Sequence, residues 1–211
     1  MFVAFENPIT GSFMIKKRYL SVIILFTVVL SVSDQILANE AEDWFHRGNK
    51  LRQEGRLIEA IDAYEKSIEL NATFWVTHYN LGLVYQKTRM FAKSADAYQR
   101  ALKLAPENLD IHLNLGNVYN YLENWQSAIQ HLNLVVHRRQ GDAIAHGSLG
   151  WALYNYKRGP SFKLLVIVNL RTAVDLFKTQ DQPQAAEATQ KTLNEALLSF
   201  GMDSSKFDSP L

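Results

Sequence analysis

The chain lacks cysteine altogether, and that absence excludes disulfides, thiolate zinc sites, a cysteine nucleophile and a lipid-modified cysteine together. It also lacks a dominant charge. Lys and Arg number 22 against 21 Asp and Glu in 211 residues. Lys16, Lys17 and Arg18, with Glu6 and Asp34, precede Asn39, which leaves 19 basic and 19 acidic residues from there on. A balanced chain exerts no general pull on DNA, RNA or anionic lipid, so nucleic acid is not an expected partner. The apolar fraction of 47% is enough to bury a core.

Motifs that carry chemistry are missing as well. There is no glycine-rich phosphate loop, and "GSLG", Gly147 to Gly150, lacks the spacing of a nucleophile elbow. Asp110 and His112 are two apart, and helical residues at that spacing do not face each other. His78, His112 and His146 recur at a 34-residue step. Zinc needs nitrogens at about 2.0–2.1 Å, whereas packed helices lie roughly 8–10 Å apart with equivalent side chains parallel. Inter-helix packing is therefore their expected role. His131 and His137, six apart, miss the i, i+4 spacing of a helical metal pair. The expectation is a protein with no catalytic residues, no metal and no cofactor.

A long apolar run is the last absence. "MIKKRYLSVIILFTVVLSVSDQILA", Met14 to Ala38, sets three basic residues before an apolar stretch from Tyr19 to Val32. Crossing a bilayer takes about 20 apolar residues, and Ser21, Thr27 and Ser31 dilute this shorter stretch further. The layout is that of a secretory signal, so residues 1–38 are read as a signal peptide cut after Ala38. "SVS", Ser31 to Ser33, is a competing cut, and an uncleaved anchor through residues 16–33 is the alternative. Met14, directly before the basic cluster, is a candidate initiator. The expected location is periplasmic or otherwise extracytoplasmic, or the inner membrane if the leader stays.

What is present is a repeat. "HYNLGLVY", His78 to Tyr85, returns 34 residues later as "HLNLGNVY", His112 to Tyr119, and after another 34 as "HGSLGWAL", His146 to Leu153. In this frame Gly48, Gly82, Gly116 and Gly150 coincide, as do Tyr64, Tyr98 and Leu132. Trp44, Arg47, Gly48 and Leu51 have the spacing of one helical face, and Ala60, Ile61, Tyr64 and Ile68 that of a second. Each unit thus reads as a helical hairpin. A mid-helix glycine costs about 1 kcal/mol against alanine, so the recurrent glycine is expected where two helices approach too closely for a Cβ. Ser94 and Ala128 are small for the matching reason. Pro106 and Asn108 end the second hairpin.

The pattern, met nearly in full by residues 75–106, resembles the tetratricopeptide repeat family over roughly residues 41–200. The resemblance implies an all-α, right-handed solenoid. Its four repeats would span residues 41–74, 75–108, 109–142 and 143–180, followed by a capping helix over 181–201 and a flexible tail over 202–211. The fourth repeat is degenerate, needing about four extra residues around Gly159-Pro160 before Ala173 aligns with Val135. "LLVIV", Leu164 to Val168, is apolar on every face, and a packed core helix covered in part by Ala186, Leu193, Leu197 and Phe200 is the expectation. If part of it stays open, a partner or a second copy of the chain could sit there. Asn71 to Thr73 matches a glycosylation sequon at a turn.

In such arrays the first helices line a concave groove. The resemblance assigns to it Phe45, Asn49, Arg52, Tyr79, Leu83, Gln86, Lys87, Leu113, Asn117, Asn120, Tyr121, Trp151 and Tyr154. Asn80 and Asn114, each just before Leu-Gly, are similar to the asparagine ladder of the O-linked N-acetylglucosamine transferase superhelix, where such amides hold the backbone of an extended peptide. An amide supplies the donor and acceptor that a peptide unit needs. The same side chains could instead satisfy contacts between helices, and both readings stand. His46 and Ser148 occupy the equivalent places in the outer repeats, so a ladder has two rungs. The carboxylate clamp of chaperone-tail-binding co-chaperones shares Asn49 and Asn80. Its basic positions here hold Phe45, Asp110 and Asn114, so no clamp is expected. The expected function is a non-catalytic scaffold that binds an extended peptide or a helix of a partner protein in the groove. The alternative is a structural subunit of an envelope complex, assembling through its convex or C-terminal surface.

Overall fold

The computed structural model describes residues 35–157 and 162–202. The leader from residue 1 to 34, Gly159-Pro160 and the tail beyond 202 lie outside the described residues. Among the described residues there are nine helices and no strand. Helix α1 covers residues 35–53. It is followed by α2 (Leu57–Leu70), α3 (Trp75–Lys87), α4 (Phe91–Leu104), α5 (Leu109–Tyr121), α6 (Trp125–Arg138), α7 (Ala143–Tyr156), α8 (Phe162–Thr179) and α9 (Pro183–Ser199).

Local chemistry sets the ends. The Asn108 side chain accepts from the backbone N–H groups of Asp110 and Ile111 at 3.0 and 3.2 Å, and Asp142 accepts from Ala145 N–H at 2.9 Å. Both are N-caps, satisfying donors that the first helical turn leaves open. Inside each hairpin one residue turns into the left-handed region: Gly55, Arg89, Glu123 and Lys157, with φ between 52° and 78°. They stand at the same 34-residue step as the packing glycines, although only the first is a glycine. Between hairpins the recurrent histidine spans the turn. Nε2 of His78, His112 and His146 lies 3.0–3.1 Å from the carbonyl oxygens of Ala72, Pro106 and Gln140. A carbonyl can only accept, so Nε2 carries the proton and clamps the turn to the following helix.

Packing follows the glycines. A Cβ on Gly48 or Gly82 would lie 2.6 Å from ring carbons of Tyr64 or Tyr98, and one on Gly116 or Gly150 would lie 2.7 Å from Leu132 or Leu170. Ser94 is buried and its Oγ donates to the Gly82 carbonyl at 2.8 Å, so small residues meet on both sides of the contact. Each second helix then packs on the next first helix, and the core passes through successive clusters around Tyr64, Tyr98, Leu132 with Leu170, and Ala173 with Phe177. Stacking covers apolar faces that one hairpin cannot bury alone.

Contacts between non-adjacent helices give the curvature. Among the described residues α3 touches α5, α5 touches α7 and α7 touches α9, while even-numbered helices do not meet each other. The odd-numbered helices therefore line the inner, concave side and the even-numbered ones the convex side. Helix α9 begins at Pro183, buries Ala186, Leu193 and Leu197, and ends before Gly201 at φ 70°. The expectation of a fully packed α8 needs correction. Val166 and Ile167 are buried, but Leu164, Leu165 and Val168 are exposed. Among the described residues α8 is clasped by α7 and α9 only, and neither covers its convex side.

Candidate functional site

The concave side brings together most of the groove residues read from the sequence, in two zones. The N-terminal zone is a hydrogen-bonded line across successive odd-numbered helices. The Tyr64 hydroxyl donates to Asn49 Oδ1 at 2.7 Å, and Asn80 Nδ2 approaches the same oxygen at 3.3 Å. Asn114 Nδ2 donates to the Tyr79 hydroxyl at 3.0 Å and to the Asp110 carbonyl at 2.9 Å. The amide nitrogens of Asn80 and Asn114 are thus engaged between and within helices, which is the structural alternative of the two left open above. Burial, with Asp110 nearby, raises the Tyr79 hydroxyl pKa, and burial raises that of Tyr98 far more. Both remain neutral hydrogen-bonding groups around neutral pH.

Other expected residues divide. Phe45 is not in the groove: it is buried against Tyr64 and Phe74, with ring centroids 6.1 and 5.1 Å away, because its place on α1 points it into the seam with α2. Leu83 and Leu113 are half-buried and pack on the neighbouring core clusters. Arg52 is half-buried, and Lys87 is exposed at the end of α3. Tyr154 is half-buried between Trp151 and Phe200, with centroids 6.3 and 6.0 Å away.

The C-terminal zone is a hollow of about 440 Å³ lined by Gln86, Asn117, Asn120, Tyr121, Ile144, Gly147, Ser148, Trp151, Leu170, Ala188, Thr189 and Thr192. None of these residues carries a formal charge. Tyr121 is exposed and stacks on Phe91 at 4.5 Å with the rings 6° from parallel, which fixes its ring plane. Trp151 stands 40% exposed, unusual for so large an apolar side chain. Asn120 Nδ2 donates to the Ser148 carbonyl at 3.0 Å. Its Oδ1 and that of Asn117 are buried and have no hydrogen-bond partner among the described residues, a costly arrangement for a purely structural amide.

Sequence reasoning missed the α9 contribution, having given that helix only a capping role. Ala188, Thr189 and Thr192 of α9 close one side of the hollow. The alternation of inner and outer helices contained that signal, since a helix after the fourth hairpin falls on the concave side. Among the described residues no group of three or more His, Asp or Glu stands close enough to hold a metal ion.

Two family models match the chain: a TPR repeat over residues 48–88 and a tetratricopeptide repeat over residues 75–108. No curated protein matches in sequence. Among solved structures the chain is similar to MamA (41-end) from Desulfovibrio magneticus RS-1, with TM-score 0.61 and 18% identity over 76% of this chain and 96% of that one. It is similar to YrrB, described as a TPR protein with an unusual peptide-binding site, with TM-score 0.53 and 23% identity over 73% of this chain and 83% of that one. The first TPR of Spaghetti (RPAP3), solved with an HSP90 peptide bound, gives TM-score 0.54 and 20% identity over 57% of this chain and 96% of that one. At such identities the likeness is one of fold. Family models in overlapping frames over residues 48–108, glycine contacts at every repeat and a shared architecture together show that the chain carries tetratricopeptide repeats in an all-helical solenoid.

Proposed function

We propose that the protein is a non-catalytic scaffold that takes an uncharged, extended segment of a partner protein into the hollow between α5, α7 and α9. The observation that carries this reading is the pair of unpartnered amide oxygens, on Asn117 and Asn120, beneath an aromatic rim made by Tyr121 and Trp151. Rotation about the last side-chain torsion, which is broad for Asn, turns the Asn117 oxygen outward to meet a backbone N–H of the segment. The rim aromatics supply apolar contact, and interface affinity concentrates in residues of that kind. The uncharged lining disfavours a carboxylate-bearing tail, whose charge would lose its water without gaining a cation. Peptide binding by YrrB and by the RPAP3 repeat, on the same fold, supports the class of ligand. The line of bonds through Asn49, Asn80, Tyr79 and Asn114 sets the spacing of the odd-numbered helices and so the width of the groove.

The test is capture of partner protein by the wild-type chain and by Trp151→Ala and Gln99→Ala variants. Loss of about tenfold or more in affinity for Trp151→Ala, with none for Gln99→Ala on the convex side, is the expected result. Binding should persist at high salt, because no charge lines the hollow. Equal capture by both variants would remove the groove from the account. The leader is proposed to export the chain, with cleavage after Ala38 or retention as an anchor. The mass of the mature N-terminus in the envelope fraction distinguishes the two.

A further inference from the structure

The second repeat keeps part of a contact that the third repeat completes. In the third, His112 gives its Nε2 proton to the Pro106 carbonyl, which leaves Nδ1 as an acceptor, and Nδ1 of His131 meets that atom at 2.8 Å. The His131 ring also lies on Tyr119, with centroids 5.7 Å apart and planes 15° from parallel. An imidazole on α6 is thus held by a histidine and a tyrosine of α5. In the fourth repeat the same place is taken by Asn169 of α8, whose side-chain amide lies 2.9 Å from Nδ1 of His146.

One step of 34 residues before the third repeat, both holders are present and the held ring is not. His78 and Tyr85 of α3 correspond to His112 and Tyr119, and the outer bond recurs, from the Tyr85 hydroxyl to Glu65 as between Tyr119 and Gln99. The position of His131 and Asn169, however, is Ala97, a register fixed by the glycine contacts of the next residues, Tyr98, Leu132 and Leu170. His78 is only 4% exposed and gives its Nε2 proton to the Ala72 carbonyl, and no group among the described residues meets its Nδ1. A hollow of about 600 Å³ opens there instead, on the convex side between α2 and α4, with His78, Tyr85 and Ala97 in its lining. A buried acceptor without a donor is costly, and a hollow of this volume is the size of a ligand site.

We infer that this hollow binds a ligand through an imidazole ring, seated beside Ala97 as His131 is seated in the third repeat, donating a ring N–H to Nδ1 of His78 and stacking on Tyr85. The hollow is larger than one ring, so the ring anchors a larger molecule. Its walls suit polar substituents: Glu65, Glu69 and Asp96 stand where the third repeat has Gln99, Lys103 and Gln130, with Arg100 beside them. Lys93, one turn before Ala97 on α4, is exposed and rests its ammonium 5.5 Å from the centre of the Tyr85 ring. The ligand displaces this flexible side chain from the ring face. The inference is independent of the groove reading, since the two hollows lie on opposite sides of the array.

The test uses the full chain and small probes. Imidazole is expected to raise the melting temperature of the wild type and to move the nitrogen resonance of His78 Nδ1, with a dissociation constant on the order of a millimolar for so small a fragment. At a pH well above the ordinary imidazole pKa, where neither probe is protonated, N-methylimidazole has no ring N–H to give and is expected to do neither. Ala97→His, which supplies the ring from within, is expected to raise the melting temperature without ligand and to abolish the response to imidazole. Lys93→Ala is expected to tighten binding by about two- to fivefold, the effect of lifting an exposed cation off an aromatic face beforehand. Tighter binding of N-acetylhistidine amide than of imidazole would assign the ring to a polypeptide segment, and equal or weaker binding to a small molecule; both outcomes support the slot. The inference is overturned by a His78 resonance that imidazole leaves in place, by an equal response to both probes, by an Ala97→His variant that still responds, or by one that is destabilised, because the slot is then too small for the ring.

Discussion

A single hydrogen atom decides how closely the helices of each hairpin approach. At Gly82 an added methyl would stand 2.6 Å from the rigid Tyr98 ring, which is buried and has nowhere to go. Overpacking of this kind costs about 1–3 kcal/mol, more than the roughly 1 kcal/mol that alanine gains as a helix former. Gly82→Ala is therefore expected to lower the urea midpoint. Gly147→Ala, whose methyl would meet nothing closer than the Ala173 Cβ at 3.6 Å, is expected to raise it. A second residue-scale effect sits at His131, whose Nδ1 lies 2.8 Å from Nδ1 of His112 while its ring stacks on Tyr119. Burial first, and His112 second, hold the His131 pKa down at about 4, against 6.5 for an ordinary histidine. The unfolded chain then binds the extra proton more readily, so stability is whole above pH 6.5 and declines as pH falls toward about 4. Allowing for solvent around a partly exposed ring, the loss is on the order of 1–2 kcal/mol. Denaturant midpoints measured at both ends of that window should differ for the wild type and converge for His131→Gln.

At the scale of the helix, the amides of the concave side divide into those that hold the array and those that strain it. Asn114 bonds to Tyr79 on the preceding odd-numbered helix, so Asn114→Ala is expected to lose about 0.5–1.5 kcal/mol per hydrogen bond removed, seen as a lower melting temperature. Asn117 has a buried oxygen with no partner among the described residues, and Asn117→Ala is expected to leave the melting temperature unchanged or raise it while weakening partner capture. Opposite signs for these two variants would reverse the roles assigned to them. The sequence pattern located these helices well, because the 34-residue step, the glycines and the stop at Pro106 and Asn108 act locally. It could not orient the amides. Asn80 and Asn114 take partners 31 and 35 residues away, a choice set by how one hairpin lies on the next. Phe45 went astray for a related reason: its position borders both groove and seam, and the aromatic partners Tyr64 and Phe74 decided between them.

At the scale of the whole molecule, stacking makes two surfaces with different chemistry. The inner surface is amide-lined, uncharged and aromatic in its C-terminal hollow, and the outer surface turns from polar to aliphatic at α8. The sequence revealed the greasy run at Leu164 to Val168 but not its exposure, because only the packed array shows that α7 and α9 flank α8 without covering its convex side. The most direct measurement of the central claim places a photo-crosslinking amino acid at position 151, 121 or, on the convex side, 99, in the full chain in its native setting. Protein adducts from 151 and 121 and none from 99 are expected. Adducts from 99 alone, or from none of the three positions, would contradict binding in the concave hollow.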